Sequence, residues 1–197
     1  MKKRKSVLAA ALLLCGLFTA SVFADSIVVR ARAAGQLVGY ASMAVLGSTF
    51  GYNVSTGFSV AAEGLWKVLP YLQIGAGLEY QMGRSITISG TAGTFQFMPI
   101  YGILRVPLDI RPFSPYAVGR IGYGILSGDS VFDMGGASIS GGFYVAAGGG
   151  VDVRFGAFSF FTEAAYAMDE GSISPTGFTF SIAYSRLELA TGLSVSF

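Results

Sequence analysis

Twelve charged side chains hold whatever chemistry this chain offers: Arg30, Arg32, Glu63, Lys67, Glu79, Arg105, Arg120, Asp152, Arg154, Glu163, Arg186 and Glu188. They alternate with apolar or small residues, and the pairs Arg30/Arg32, Asp152/Arg154 and Arg186/Glu188 are two apart, so an extended strand collects them on one face. Seven are basic and five acidic. Gathered in a confined space, such groups make a lattice of ion pairs and not a catalytic centre. The chain has no histidine and one cysteine, Cys15. A hydrolase with a histidine base beside Ser or Asp is therefore excluded, and zinc-type sites lose their usual ligands. A Ser–Lys pair has only Lys67 to draw on beyond residue 5. Asp129 to Asp133 and Asp169-Glu170 have calcium-ligand chemistry, but their position between periodic segments reads as solvated loop acid. The glycine runs GGASISGG and AAGGGV have no strand-to-helix context for a phosphate loop and suit a tightly curved wall. Catalytic, cofactor-binding and metal-binding residues are all expected to be absent.

What positions the twelve charges begins with what is removed. Lys2, Lys3, Arg4 and Lys5 precede an apolar run from Val7 to Phe18, and Val22-Phe23-Ala24 supplies small residues at −3 and −1 of a cleavage point. This is the pattern of a secretory signal peptide, over residues 1–24, and the run is too short to span a bilayer. A lipoprotein signal acylated at Cys15 fits less well, because Leu14 stands where such a signal needs a small residue. Without the four leading cations, nine basic residues face eleven acidic ones, a net charge of −2. No basic patch is left to bind nucleic acid. The mature chain has no cysteine, so it is exported without disulfide staples.

Residues 25–197 read as one domain. Long uncharged stretches are broken by Gly, Asn and Pro and are rich in β-branched residues, and their apolar positions recur at period two and not 3.6. Eight strand segments follow: 27–40, 53–67, 71–82, 94–106, 116–126, 142–155, 158–168 and one from about 178 to the end. In the second, Val54, Phe58, Val60 and Trp66 fall on one face and Glu63 and Lys67 on the other. The fourth has apolar residues on both faces, and Pro99 predicts a bulge there. The apolar parity of the last segment switches near Ser185, which predicts a bulge or a loop at that point. Connections at 68–70 and 156–157 are short and the one at 108–114 is moderate. Those at 41–52, 83–93, 127–141 and 169–177 are longer. Short turns at one end and long loops at the other describe an up-and-down meander.

The alternation fits a soluble barrel or its inside-out counterpart in a membrane. Charged residues are 12% of the chain, about half the usual share for a soluble domain. The polar face is mostly Gly, Ser, Ala and Gln, which suits a crowded lumen and not a wet surface. Aromatics collect at strand ends: Trp66, Tyr71, Phe113, Tyr116, Phe155, Phe158 and Phe197 beside the short turns, and Tyr40, Tyr80, Tyr123 and Tyr166 near the long loops. Two such girdles mark the interfaces of a bilayer. The fold class is therefore all-β: an eight-stranded antiparallel up-and-down transmembrane β-barrel, preceded by a cleaved signal peptide. An open edge in hydrocarbon is too costly, so the last strand must pair with the first. Arg30, Arg32, Glu63, Glu79, Arg120, Asp152, Arg154, Glu163, Arg186 and Glu188 are then expected to form a charge network in the lumen. An eight-stranded lumen is only wide enough for side chains, which favours a plug over a pore.

The final stretch RLELATGLSVSF, with Leu189, Leu193, Val195 and Phe197 on one face, resembles the carboxy-terminal signal of bacterial outer-membrane proteins. With the leader and eight strands, the chain resembles the small outer-membrane barrels of OmpA, OmpX and OmpW type. That resemblance implies insertion in outer-membrane lipid, termini in the periplasm, and recognition of the last strand by the barrel-assembly machinery. It also implies possible host or surface ligands contacted through the loops. The implied role is non-enzymatic, structural or surface-contact, with a narrow channel for small, apolar solutes as the alternative and a lipid-modifying enzyme behind both. The chain shows no second domain by composition, so a peptidoglycan-binding role does not carry over.

Overall fold

The computed structural model describes residues 27–45, 48–88, 91–108, 110, 112–128, 138–174 and 179–197. The leader and the acids at 129 and 133 lie outside them. Ten strands are present: β1 (Ile27–Val45), β2 (Ser48–Val54), β3 (Gly57–Leu69), β4 (Leu72–Gln81), β5 (Arg84–Ile88), β6 (Thr91–Pro107), β7 (Phe113–Gly128), β8 (Ser138–Phe155), β9 (Phe158–Ser174) and β10 (Phe180–Ser196). β3 pairs with the first half of β1 and β2 with the second, so together they occupy one position in the wall. β4 and β5 share a position against β6 in the same way. The wall therefore has eight antiparallel positions, closed by β10 on β1 over Val28–Ala44. At the lower rim, which holds both described ends of the chain, the Phe197 amide donates to the Ile27 carbonyl at 2.9 Å. Closure satisfies edge groups that hydrocarbon would leave bare. The tight turn Gly156-Ala157 joins β8 to β9, with Gly156 at φ 66°, a conformation that favours glycine.

Side chains alternate in and out along every wall strand, but what alternates changes with height. Through the lower part the outward row is oily: Val29, Val60, Ile74, Leu78, Ile100, Leu104, Ile121, Phe160, Leu189 and Leu193 are all exposed. The ten residues of β4 span about 33 Å, or about 23 Å along the axis at a tilt near 45°, close to a hydrocarbon thickness. Trp66, Tyr71, Phe113, Phe155, Phe158 and Phe197 ring this belt below, and Tyr40, Tyr80, Tyr123 and Tyr166 ring it above, all exposed. Beyond the upper ring the strands continue, and the outward row becomes Thr49, Asn53, Ser85, Thr94, Ser127, Ser140, Glu170 and Ser181. The inward row there turns apolar. Ala41, Val54, Phe95, Phe97, Leu126, Ile173, Ile182 and Tyr184 form one buried cluster.

This inversion corrects several expectations. The parity switch near Ser185 is neither bulge nor loop: Ile182, Tyr184, Arg186 and Glu188 all point inward along an unbroken β10. Val54 lies on the short strand β2 and faces the apolar cluster, not outward beside Phe58. The strands run several residues past the segments expected at 27–40, 142–155 and 158–168, so the connections between them are shorter than the periodicity implied. Pro99 makes no bulge: it pairs with Gly124 in continuous register. The β4 ladder ends at Leu78–Ile100, so the missing proline N–H falls just past its last rung. Register instead shifts between Gln36 and Val38, between Lys67 and Leu69, and between Gly141 and Tyr144.

Candidate functional site: a charge lattice in the lumen

Below the apolar cluster the lumen is filled by five arginines, six carboxylates, the polar rings between them and a second buried cluster that includes Val28, Leu65, Ile103 and Val118. They arrive there because charged residues at even positions of β1, β7, β8 and β10 share a face with odd ones on β3, β4, β6 and β9. At the lowest level Arg105 pairs with Asp152, and its Nη1 donates to Gln73 Oε1 at 2.7 Å. In the middle, Glu63 receives Arg30 Nη1 at 3.0 Å and Arg120 Nη2 at 2.8 Å, and Arg120 also reaches Glu163 at 2.8 Å. Tyr101 donates to Glu63 and Tyr116 to Glu163, each at 3.0 Å. Higher up, Arg32 joins Glu79 and Glu188, and Arg186 joins Asp169 and Glu188. Gln36 Nε2 donates to Glu188 at 3.1 Å, and Gln81 Nε2 to Asp169 at 3.3 Å.

Flat aromatic rings hold this lattice against the wall. The Arg30 guanidinium lies 3.8 Å from the Phe161 ring centroid, and that of Arg105 lies 3.8 Å from the Tyr116 centroid. The rings need a smooth floor, and glycine provides it. A Cβ at Gly77 would fall 2.7 Å from the Tyr101 ring, and one at Gly150 would fall 2.6 Å from the Tyr116 hydroxyl. Side-chain volume on these faces would push the tyrosines into the lattice.

Of the ten residues read as a lumen network, the structure brings nine into the interior: Arg30, Arg32, Glu63, Glu79, Arg120, Asp152, Glu163, Arg186 and Glu188 are all buried. Arg154 stands apart, half-buried at the lower mouth, where its Nη2 donates to Ser114 Oγ at 3.2 Å. Lys67 lines the same mouth with Gln73. Arg105 belongs to the lattice. Two members were misplaced by the sequence reading. Asp169, assigned to a loop, is buried on β9, and the alternation Phe161, Glu163, Ala165, Ala167, Asp169 could have found it. Tyr116, assigned to the lower girdle, is buried and accepts from Arg30 at 2.9 Å. Arg84, read as a loop residue, is also inside the barrel. Leu189, Leu193 and Phe197 are exposed on the outward side and Val195 is half-buried.

Chemically this is a closed set of paired charges. Removing both partners of a buried pair can be neutral, but removing one strands the other at a cost of about 3–5 kcal/mol. Among the described residues no group of three or more His, Cys, Asp or Glu is arranged to hold a metal.

No family model and no curated protein matches the sequence. Among solved structures, Neisserial surface protein A is similar over 87% of this chain and 97% of its own, at 17% identity with a TM-score of 0.57. A de novo designed transmembrane β-barrel is similar over 88% and 97%, at 13% identity and a TM-score of 0.42. Ail, the attachment invasion locus protein of Yersinia pestis, is similar over 86% and 99%, at 12% identity and a TM-score of 0.41. The first likeness bears on the fold alone, and it is the fold of the small eight-stranded transmembrane β-barrels.

Proposed function

We propose that this chain is an integral, non-enzymatic protein of a bacterial outer membrane, a plugged stem that carries rigid hairpins into the medium. The observation behind this reading is that the lumen is filled at two heights by different means. Paired charges block it within the oily belt, and Phe95, Phe97, Leu126, Ile182 and their neighbours block it above. A solute would have to break ion pairs and displace packed rings to pass.

In this reading residues 1–24 direct export and are cleaved after Ala24. Both ends of the barrel domain face the periplasm. Outer-membrane lipid contacts the belt, and Leu189, Leu193, Val195 and Phe197 present the assembly signal to the barrel-assembly machinery. Surface ligands meet the polar outward rows above Tyr40 and Tyr80. The net charge of −2 without residues 1–24 gives nucleic acid nothing to bind.

Planar-bilayer recording of the refolded chain separates this plug from a narrow channel for small solutes. Traces without steady open levels are expected, and a stable unitary conductance at neutral pH would overturn the plug. Incubation with lipid A or casein is expected to give no turnover; turnover would restore the enzyme reading.

A further inference from the structure

One buried cation stands outside the lattice. Arg84, at the foot of β5, is 1% exposed, yet among the described residues its only hydrogen bonds run from Nη1, to the Tyr184 hydroxyl at 2.8 Å and the Ser55 carbonyl at 3.5 Å. Among the described residues no carboxylate lies within ion-pair distance of it, whereas Arg30, Arg32, Arg105, Arg120 and Arg186 each have one. The carboxylates of its neighbourhood are already engaged: Asp169 by Arg186 and Gln81, Glu188 by Arg186, Arg32 and Gln36. Among the described residues its Nε and Nη2 have no hydrogen-bond partner. Those two nitrogens form the side-on fork of a guanidinium, the edge whose parallel N–H groups match the two oxygens of a carboxylate or phosphate. A buried guanidinium with that edge empty is costly unless an anion completes it.

The surroundings keep the fork in place. Gly57 lies against it: a Cβ there would fall 2.4 Å from Cζ and 2.6 Å from Nη2. The wall is also weakest here. β2 pairs with β1 and β5 with β6, and the two are tied to each other at their base, where Ser55 N donates to Ser85 O at 3.5 Å and Ser85 N to Ser55 Oγ at 3.3 Å. Above that tie no β2–β5 ladder is present among the described residues, so a seam without backbone pairing runs beside Arg84. Arg84 follows Tyr80 of the upper aromatic ring by four residues, which sets the seam near headgroup height in a bilayer.

We propose that the Nε/Nη2 fork of Arg84 is a binding site for one phosphate-type oxyanion at the head of the lumen, reached through the seam between β2 and β5. The same chemistry has two sources, a phosphate of an outer-leaflet lipid or a free anion from the medium. The lipid source rests on the membrane placement proposed above; the free-anion source does not.

The test uses the full barrel refolded in dodecyl maltoside, with the Nε–H resonance of Arg84 followed by NMR. Titration with inorganic phosphate is expected to move that resonance saturably, and Arg84→Gln to weaken phosphate binding, followed by 31P line broadening, about tenfold or more. Gly57→Ala keeps the charge but crowds the fork, and is expected to weaken binding as well. Folding of each variant is checked by heat-modifiable gel migration. In a second arm, nanodiscs carrying lipid A are compared with nanodiscs carrying its dephosphorylated form. A shifted Arg84 resonance in the first alone assigns the site to lipid, and a shift only on adding phosphate assigns it to the medium. An Arg84 resonance unmoved in both arms, or phosphate binding unchanged in Arg84→Gln, overturns the site.

Discussion

The belt below Tyr40 and Tyr80 and the extension above them follow opposite rules, although six of the eight wall positions carry one strand through both and only two change strand, from β3 to β2 and from β4 to β5. In the belt the outward row is Leu, Ile and Val, while Arg and Glu face in among a few buried apolar residues such as Leu65 and Ile103. In the extension, Ser, Thr and Gln face out while Phe, Ile and Leu face in. On β7, β9 and β10 the alternation runs unbroken across the boundary, because a strand sends alternate side chains to opposite faces whatever surrounds it. What changes is the solvent that each face is matched to. The extension is an ordinary water-soluble barrel with an apolar core, continuous with a section of the opposite polarity, and the two meet within one or two residues on each strand. Polarity alone therefore does not identify the inward face of a strand; height along the strand must be known too.

The sharpest way to break the comparison is to strip the belt's core of one charge. Glu63→Ala leaves Arg30 and Arg120 short of a partner and is expected to cost about 3–5 kcal/mol, read as a fall in the urea midpoint of the barrel refolded in vesicles. A loss below about 1 kcal/mol would mean that the lattice is loose and wet. The next test moves a charge along one outward row. Ile121, mid-belt on β7, and Ser127, three outward positions higher, are both exposed. Ile121→Arg is expected to cost about 2–4 kcal/mol in vesicles, and Ser127→Arg to stay within about 0.5 kcal/mol. Equal costs at the two heights would place the boundary wrongly. A finer test is Tyr116→Phe, which removes one hydroxyl that accepts from Arg30 and donates to Glu163. A loss of about 1–2 kcal/mol is expected from the buried partners left unsatisfied. The smallest effect is expected at Arg154: Arg154→Ala should shift the same midpoint by no more than about 0.5 kcal/mol, because this side chain is only half-buried, at the solvent-facing lower mouth.

The belt was legible in the sequence because its two rows differ in kind: at 71–82, Gln and Glu alternate with Leu and Ile, and the period alone gives strand, face and register. The extension was not. Phe95, Phe97, Ile173, Ile182 and Tyr184 look like lipid-facing residues when the only rule is that apolar means outward, so their strands seemed to slip or end. Asp169 was lost for the same reason, since it lies where β9 was already taken for loop. Tyr116 shows a different limit. A tyrosine at a strand end suits an interface, and only its parity with Val118 and Arg120 reveals that it points inward. Arg84 had no periodic context at all, because the irregular step at Met82-Gly83 separates it from β4.

The level at which the two rules meet also acts as a waterline. A barrel whose outer wall turns from leucine to serine within one rung has a fixed draught: sinking by one step would drag hydroxyls and a carboxylate into oil, and rising by one would lift bare isoleucine into water. A stiff closed wall cannot tilt or shorten to escape this, so around this molecule the lipid should adjust its thickness to the protein.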